Sequence, residues 1–381
     1  RMRGIRERNP AHGNRIVFRG SCPDFEYFNR SCVHFMNFSM GFAIALAAFS
    51  FTLFFIFAAL RFFPRWRLLD CPEKYGLARP PIPYYGGLAL FTGFLSSVFL
   101  FAPLNRELVF VLIALGLLVL VSFLDDRYSL SPFLRLFAHI AAGALVVYGG
   151  VGIRSITNPF GEAFQLDQIS FFFANREFFL LSGIFTVLWI VFFINSMNFL
   201  DGVPGLVSGV SFLAAASLFL LSIAKWHTVD QTVVIFVSLI LAGCTLAFFI
   251  FDFPPPKILM GDTGSVMLGF LIAVLAIFAG GKIATAFLVM GFPLLDAVFT
   301  ILRRIFRGRV PWKGDLFHLH HRFLQAGFSQ RQVVAIVCLF SVLFGGTALF
   351  LNSSQKIVAL SVLGVFIFFI IVFLFSLSKR K

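Results

Sequence analysis

The amino-acid sequence predicts an all-α, polytopic integral membrane protein with about eleven transmembrane helices and its acid-bearing loops on the cytoplasmic side. Three observations predict it. Of 381 residues, 59% are hydrophobic and 13% charged, where a soluble domain carries roughly 25% charged. Apolar runs close to the roughly 20 residues that a spanning helix needs recur along the chain. The basic residues divide unevenly between alternate loops, as they do about a bilayer.

In chain order the apolar runs centre near residues 53, 93, 115, 142, 188, 213, 241, 271, 293, 341 and 366. Several contain Gly or Pro, which membrane helices tolerate. Residues 1–39 stand apart. They hold seven arginines, show no apolar periodicity, and place Met36 or Met40 directly before the first run. They are expected to be a disordered or spuriously translated extension, against the alternative of a basic targeting arm, and residues 40–381 form a single transmembrane domain. The longest polar stretches, 64–82, 151–177 and 303–330, are too short for a soluble domain of useful size.

The formal charge of +14 reflects scarce acids, 17 Asp and Glu against 31 Lys and Arg. On a soluble chain that excess would suggest nucleic acid; here it is a topological signal, and no nucleic-acid partner is expected. With eleven spans, the loops that share a side with the C-terminus carry 18 basic residues, among them Arg61, Arg127, Arg135, Arg303 and Arg322. The opposite side carries 6: Arg106, Arg154, Arg176, Lys225, Lys282 and Lys356. The bias puts the first set and the C-terminus in the cytoplasm of a plasma (inner) membrane protein. Five scattered cysteines suggest neither a disulfide framework nor a zinc site.

Fourteen acids lie beyond the extension, and Asp70, Glu73, Asp125, Asp126, Asp201, Asp252, Asp262, Asp296 and Asp315 all sit in or beside cytoplasmic segments. Carboxylates within a turn of a hydrophobic run are costly and usually functional. Helix-end snorkelling or capping would explain one or two of them. It does not explain the adjacent Asp125-Asp126, the Gly-flanked Asp201 and the Gly-flanked Asp262 on one face. Oxygen ligands without paired Cys or His suit a hard cation, Mg²⁺ with Mn²⁺ as a substitute.

Four segments carry the chemistry. Phe123-Leu-Asp-Asp-Arg-Tyr-Ser-Leu-Ser-Pro132 ends a helix in two acids. Asn195-Ser-Met-Asn-Phe-Leu-Asp-Gly-Val-Pro-Gly-Leu206 offers amides, an acid and glycines for close approach to a polar ligand. Met260-Gly-Asp-Thr-Gly-Ser-Val-Met-Leu-Gly269 could present helix-start N–H groups to phosphate while Asp262 holds the metal. Asp315-Leu-Phe-His-Leu-His-His-Arg322 follows an Arg-rich stretch and suits a diphosphate. Each alone has a dull reading as a solvated helix end, a turn or an exposed loop; their combination on one side favours function.

These segments, with Pro81-Ile-Pro-Tyr-Tyr-Gly-Gly87 before them and Pro293-Leu-Leu-Asp296 and Arg303 between the third and the fourth, resemble the polyprenyl-phosphate N-acetylhexosamine-1-phosphate transferase family over roughly residues 40–375. The His-x-His-His form resembles the branch that uses UDP-N-acetylglucosamine or related UDP-sugars. The resemblance implies an Mg²⁺-dependent transfer of sugar-1-phosphate from a UDP-sugar to undecaprenyl phosphate, releasing UMP at the first membrane step of cell-wall or surface-glycan synthesis. It implies catalytic roles for Asp125, Asp126 and Asp262, with Asp262 the principal metal ligand and Asn198 and Asp125 beside it. It implies substrate contacts from Asn195, Asn198, Asp201, Gly202, His318, His320, His321 and Arg322, and supporting roles for Asp296, Arg303 and Asp315. It is compatible with a homodimer.

Two departures from the family pattern stand out. Asp-Gly-x-Asp-Gly is common in the second motif, where this chain has Pro204 for the second acid. The first loop has Tyr75-Gly-Leu-Ala78 and Tyr84 where basic and His residues are common. The expectation is retained chemistry with altered head-group selection. The alternatives are an inactive member and, less well supported, a secondary transporter, whose acids belong near the bilayer midplane.

Overall fold

The computed structural model describes residues 38–75, 79–156, 158, 161–173, 176–225, 230–280, 283–306, 308 and 318–378. Its helices in order are α1 (Phe38–Phe62), α2 (Gly86–Phe101), α3 (Arg106–Tyr128), α4 (Pro132–Gly149), α5 (Leu180–Leu200), α6 (Leu206–Lys225), α7 (Thr232–Asp252), α8 (Gly261–Phe278), α9 (Ile283–Val289), α10 (Gly291–Phe306), α11 (Leu319–Gln325), α12 (Gln330–Phe350) and α13 (Ser353–Ser378). Nine of the described helices are long and apolar enough to cross a membrane. The runs predicted near 93 and 293 differ. The first is the 16-residue α2, and the second is divided at Met290 into α9 and α10. Pro293, in the first turn of α10, has no N–H to continue a helix through that point.

Local chemistry sets the helix ends. Asn105 caps α3 by accepting from the Leu108 N–H at 2.8 Å, and Ser129 closes it in the left-handed region at φ 53°. Ser131 caps α4 with Pro132 at its first position, which explains the Leu-Ser-Pro segment physically. Ser329 and Gln332 form a reciprocal capping box on α12.

Helix α8 is the central post. It packs against α2, α3, α5, α6, α7 and α9, and 89% of its apolar window is buried, against 17% for the peripheral α13. Small residues permit the closest approaches, as membrane packing requires. A Cβ on Gly87 would lie 2.3 Å from the backbone N of Gly264, so α2 and α8 meet backbone to backbone at their starts. Many of the abundant phenylalanines, including Phe42, Phe54, Phe57, Phe368, Phe369 and Phe373, are exposed on the outer faces, as lipid-facing bulk would be.

The stretch 151–177, read from sequence as polar loop, contains strands. β1 (Ser155–Ile156) pairs antiparallel with β2 (Phe164–Gln165), and β3 (Ser170–Phe173) with β4 (Arg176–Phe179). Every residue of β3 is exposed, so no alternating apolar pattern marked it. The hairpin sits at the end of the α4–α5 pair away from Asp125 and Asp201.

Candidate active site

The site forms where the end of α3, the start of α4, the end of α5 and the start of α8 converge. A cleft of about 230 Å³ lies between them, lined in part by Asp125, Arg135, His139, Asn195, Asn198, Phe199 and Asp262. Arg135, from the first turn of α4, lies 3.0 Å from the Asp125 carboxylate and 3.6 Å from that of Asp262. Asp125 also accepts from the Leu130 N–H at 2.7 Å. One guanidinium thus ties the carboxylates of two sequence-distant motifs. From sequence alone Arg135 reads only as a topological charge.

The adjacent acids do different things. Asp126 accepts from the backbone N–H groups of Asp262 and Thr263, each at 3.1 Å, and from the Thr263 hydroxyl at 2.7 Å. Its carboxylate therefore caps α8, whose own N-cap residue, Met260, supplies no side-chain cap. Its oxygens thereby satisfy N–H groups that the first turn of a helix leaves without partners. Gly261 makes room: its φ is +71°, and a Cβ on it would lie 3.0 Å from an Asp126 oxygen. Asp126 is accordingly engaged with the helix that carries Asp262, whereas Asp125 lines the cleft.

Behind Asp262, Ser265 joins the second and third motifs. Asn198 donates to the Ser265 hydroxyl at 3.3 Å; Asp262 lies beside Asn198, and Asp201 beside Ser265. Burial, followed by the nearby Asp252, Asp262 and Asp126, pushes the Asp201 carboxyl well above the usual range. Asp252 holds the turn after Asp201, accepting from the Gly205 N–H at 2.9 Å and the Ser208 hydroxyl at 2.7 Å. Asn195 donates to the Val191 carbonyl at 2.7 Å and lies 3.5 Å from His139 Nδ1.

The histidines lie on the same side. Asp296, buried in α10, meets His318 Nδ1 at 2.9 Å and accepts from the Leu319 N–H at 3.0 Å, fixing the start of α11. His318 packs on Phe199 of the cleft wall, ring centres 5.2 Å apart. His320 stacks parallel to His318 at 5.8 Å and touches His321 at 4.2 Å. It is fully buried, with no hydrogen-bond partner for either ring nitrogen among the described residues. Burial, with His321 and His318 adding to it, pushes its pKa well below the ordinary histidine value. A Cβ on Gly202 would fall 2.3 Å from His320 Nε2, so Gly202 is the space that lets the loops close together. His321 and Arg322 are half-buried on α11, and Arg303 is half-buried in the last turn of α10. Arg304, which sequence reasoning passed over, is buried with its guanidinium 5.9 Å from the Phe199 ring. Asp315 lies outside the described residues.

Asp70 pins the first loop, pairing with Arg79 and accepting from the Ile82 N–H at 2.8 Å. The loop is then laid against the approach to α8 through Leu259 N–H to Pro83 and Gly87 N–H to Met260.

Asp125, Asp262 and Asn198 offer carboxylate and amide oxygens to one cleft, a donor set that fits a hard cation retaining waters and sharing phosphate oxygens. Among the described residues no group of three or more His, Cys, Asp or Glu is placed to hold a metal by itself.

Comparison with known proteins gives a consistent set of similarities. The family model described as glycosyl transferase family 4 matches residues 108–280, which include Asp125, Asp201 and Asp262. The chain is 31% identical over 301 residues to a decaprenyl-phosphate N-acetylglucosaminephosphotransferase of Mycobacterium leprae, spanning 71% of this chain and 73% of the relative. It is 29% identical over 310 residues to a probable undecaprenyl-phosphate N-acetylglucosaminyl 1-phosphate transferase of Bacillus subtilis, spanning 79% and 82%. An undecaprenyl-phosphate alpha-N-acetylglucosaminyl 1-phosphate transferase of Escherichia coli K12 is 27% identical over 310 residues, spanning 78% and 80%.

Proposed function

The chain belongs to glycosyl transferase family 4, and from that membership we propose that it transfers an N-acetylhexosamine-1-phosphate, N-acetylglucosamine-1-phosphate first among the candidates, from a UDP-sugar to undecaprenyl phosphate. The reaction begins a cell-wall or surface glycan at the cytoplasmic face of the plasma membrane. The observation that carries this reading is the Asp125–Arg135–Asp262 arrangement on a cleft that opens beside lipid-facing helices. Leu136 lines both this cleft and an apolar groove running along α4 and α5, which suits an acceptor with a polar head and a prenyl chain.

In the proposed reaction an oxygen of the lipid phosphate attacks the β-phosphorus of the UDP-sugar. The bond from that phosphorus to the bridging oxygen breaks, and UMP leaves with the electron pair. A phosphate monoester has its second pKa near about 6, so the attacking oxygen is already anionic and needs no strong protein base. Asp125, engaged by Arg135 and the Leu130 N–H, is better suited to hold Arg135 against the acceptor phosphate than to take a proton. Asp262, Asp125 and Asn198 would hold Mg²⁺. Bound there, the cation would neutralise charge developing on the phosphate oxygens. His318, His321 and Arg322 would form the opposing wall for the donor diphosphate, with His318 set in place by Asp296 and the buried His320 stacked behind it. Asn195, Asp201 and Gly202 line the donor side, and Pro204 alters sugar or nucleotide selection there.

The test is UMP release by the purified, detergent-solubilised protein with undecaprenyl phosphate, Mg²⁺ and a panel of UDP-sugars. Lipid-dependent release that EDTA stops and Mg²⁺ restores is the expected result. Folded protein that releases no UMP with any sugar of the panel would overturn the assignment.

A further inference from the structure

At the face opposite the cleft, a second pocket of about 290 Å³ is lined by Tyr148, Arg154, Arg176, Glu177, Phe179 and Ser182, among others. The Arg154 guanidinium lies 5.4 Å from the centre of the Phe179 ring, and that of Arg176 lies 5.7 Å from the centre of Tyr148. Among the described residues neither arginine has a carboxylate within ion-pairing distance, although Glu177 lines the same pocket. Packing against an aromatic face restrains a guanidinium while its N–H donors, which lie in its own plane, remain available for a phosphate. Arg106 adds a third positive charge nearby, donating to the Tyr148 carbonyl at 3.1 Å. Three of the six basic residues assigned to this side therefore line this pocket or adjoin its lining.

The pocket continues into an apolar one. Val147, Tyr148, Phe178, Phe179 and Gly183 line both it and the apolar groove of about 630 Å³ between α4, α5 and the β3–β4 hairpin. A cationic mouth continuous with an apolar slot is complementary to a phosphate head on an acyl chain. We propose that Arg154 and Arg176 form a headgroup site for an anionic phospholipid of the leaflet opposite the active site, with one acyl chain in the hairpin end of the groove. The occupant is a bilayer phospholipid and not the acceptor lipid. Helix α4 has 18 residues, roughly 27 Å at the rise of a helix, so a phosphate seated here lies the length of a membrane span from Asp125 and Asp262.

The experiment is lipid competition by native mass spectrometry on the full chain in detergent, using dioleoyl phosphatidylglycerol against dioleoyl phosphatidylcholine. With two arginines contributing, phosphatidylglycerol should be retained about tenfold or more over phosphatidylcholine. The Arg154→Gln/Arg176→Gln double variant should lose most of that preference while UMP release in detergent stays the same. If that variant fails to fold, Arg154→Lys/Arg176→Lys keeps the charges, removes the planar fork, and should show a reduced preference. An unchanged preference in whichever double variant folds would overturn the site. So would displacement of phosphatidylglycerol by inorganic phosphate alone, or by a polyprenyl phosphate at lower concentration, since the occupant would then be a free anion or the acceptor.

Discussion

Removing Asp126 tests whether the two adjacent acids are one functional unit or two. Asp126→Ala deletes the acceptor of two backbone N–H groups and one hydroxyl at the start of α8. Loss of a helix cap costs about 0.5–2 kcal/mol. A stability loss of that size follows, to be read as a lower midpoint in thermal unfolding of the solubilised protein. The kinetic effect should be larger than the loss of fold. Asp262 hangs on the released first turn, and a misplacement of about 1 Å in a reacting constellation can cost about 10²-fold in rate. UMP release should therefore fall about 10²-fold in kcat with little change in KM for the UDP-sugar. Asp126→Asn keeps one acceptor oxygen and should retain more activity than Asp125→Asn, and Thr263→Val should reproduce part of the defect. The reasoning fails if Asp126→Asn is as inactive as Asp262→Ala while its unfolding midpoint and Mg²⁺ dependence match the wild type. That pattern would mean Asp126 acts directly on substrate or metal.

Three further expectations follow from the site. Gly202→Ala places a methyl where His320 Nε2 already lies and should lower turnover at least about tenfold, equivalent to about 1.4 kcal/mol; unchanged kinetics would show that His320 is free to move. Asp296→Ala removes the partner of His318 and of the Leu319 N–H and should raise KM for the UDP-sugar by loosening the donor wall, whereas a loss confined to kcat would argue against that placement. Asp201 supplies a pH test. Its folded-state pKa is raised, so the folded chain keeps a proton that the unfolded chain releases above about pH 4, and stability falls as pH rises through that window. Asp201→Asn should therefore unfold at a higher temperature than the wild type at pH 8, and the two should converge near pH 4; parallel curves across the range would refute it.

The sequence displayed the spanning helices and the gathering of acids on one face because each rests on a local property: a long apolar run, or a carboxylate within a turn of one. The division of labour between Asp125 and Asp126 was not local. Adjacent residues on a helix point about 100° apart, so neighbours in sequence face different surroundings, here a cleft and the start of α8. Arg135 was invisible for a related reason. It lies ten residues past Asp125, on the next helix, and from sequence looks like any arginine of the loop charge bias. Only the turn at Ser129 and the Ser131 cap bring α4 back beside α3. The break between α9 and α10 could have been read from Gly291 and Pro293, but an apolar run long enough to span outweighed it.

Pro204 is where the departure from the family pattern meets this geometry. The turn that carries it is held by Asp252 through Gly205 and Ser208, and Asp201 already lies near Asp252, Asp262 and Asp126. A second acid in the turn would bring one more negative charge toward a carboxyl already shifted upward by that company. Proline contributes no charge and fixes its own φ, so it leaves the Asp252 anchor in place while withdrawing one hydrogen-bonding side chain from the turn. The Asp125–Arg135–Asp262 contacts and the Asp126 cap are made by α3, α4 and α8, and none is made through residue 204. On the proposed reading the departure is expected to bear on which donor is selected, since it leaves untouched the groups proposed to act at the phosphates.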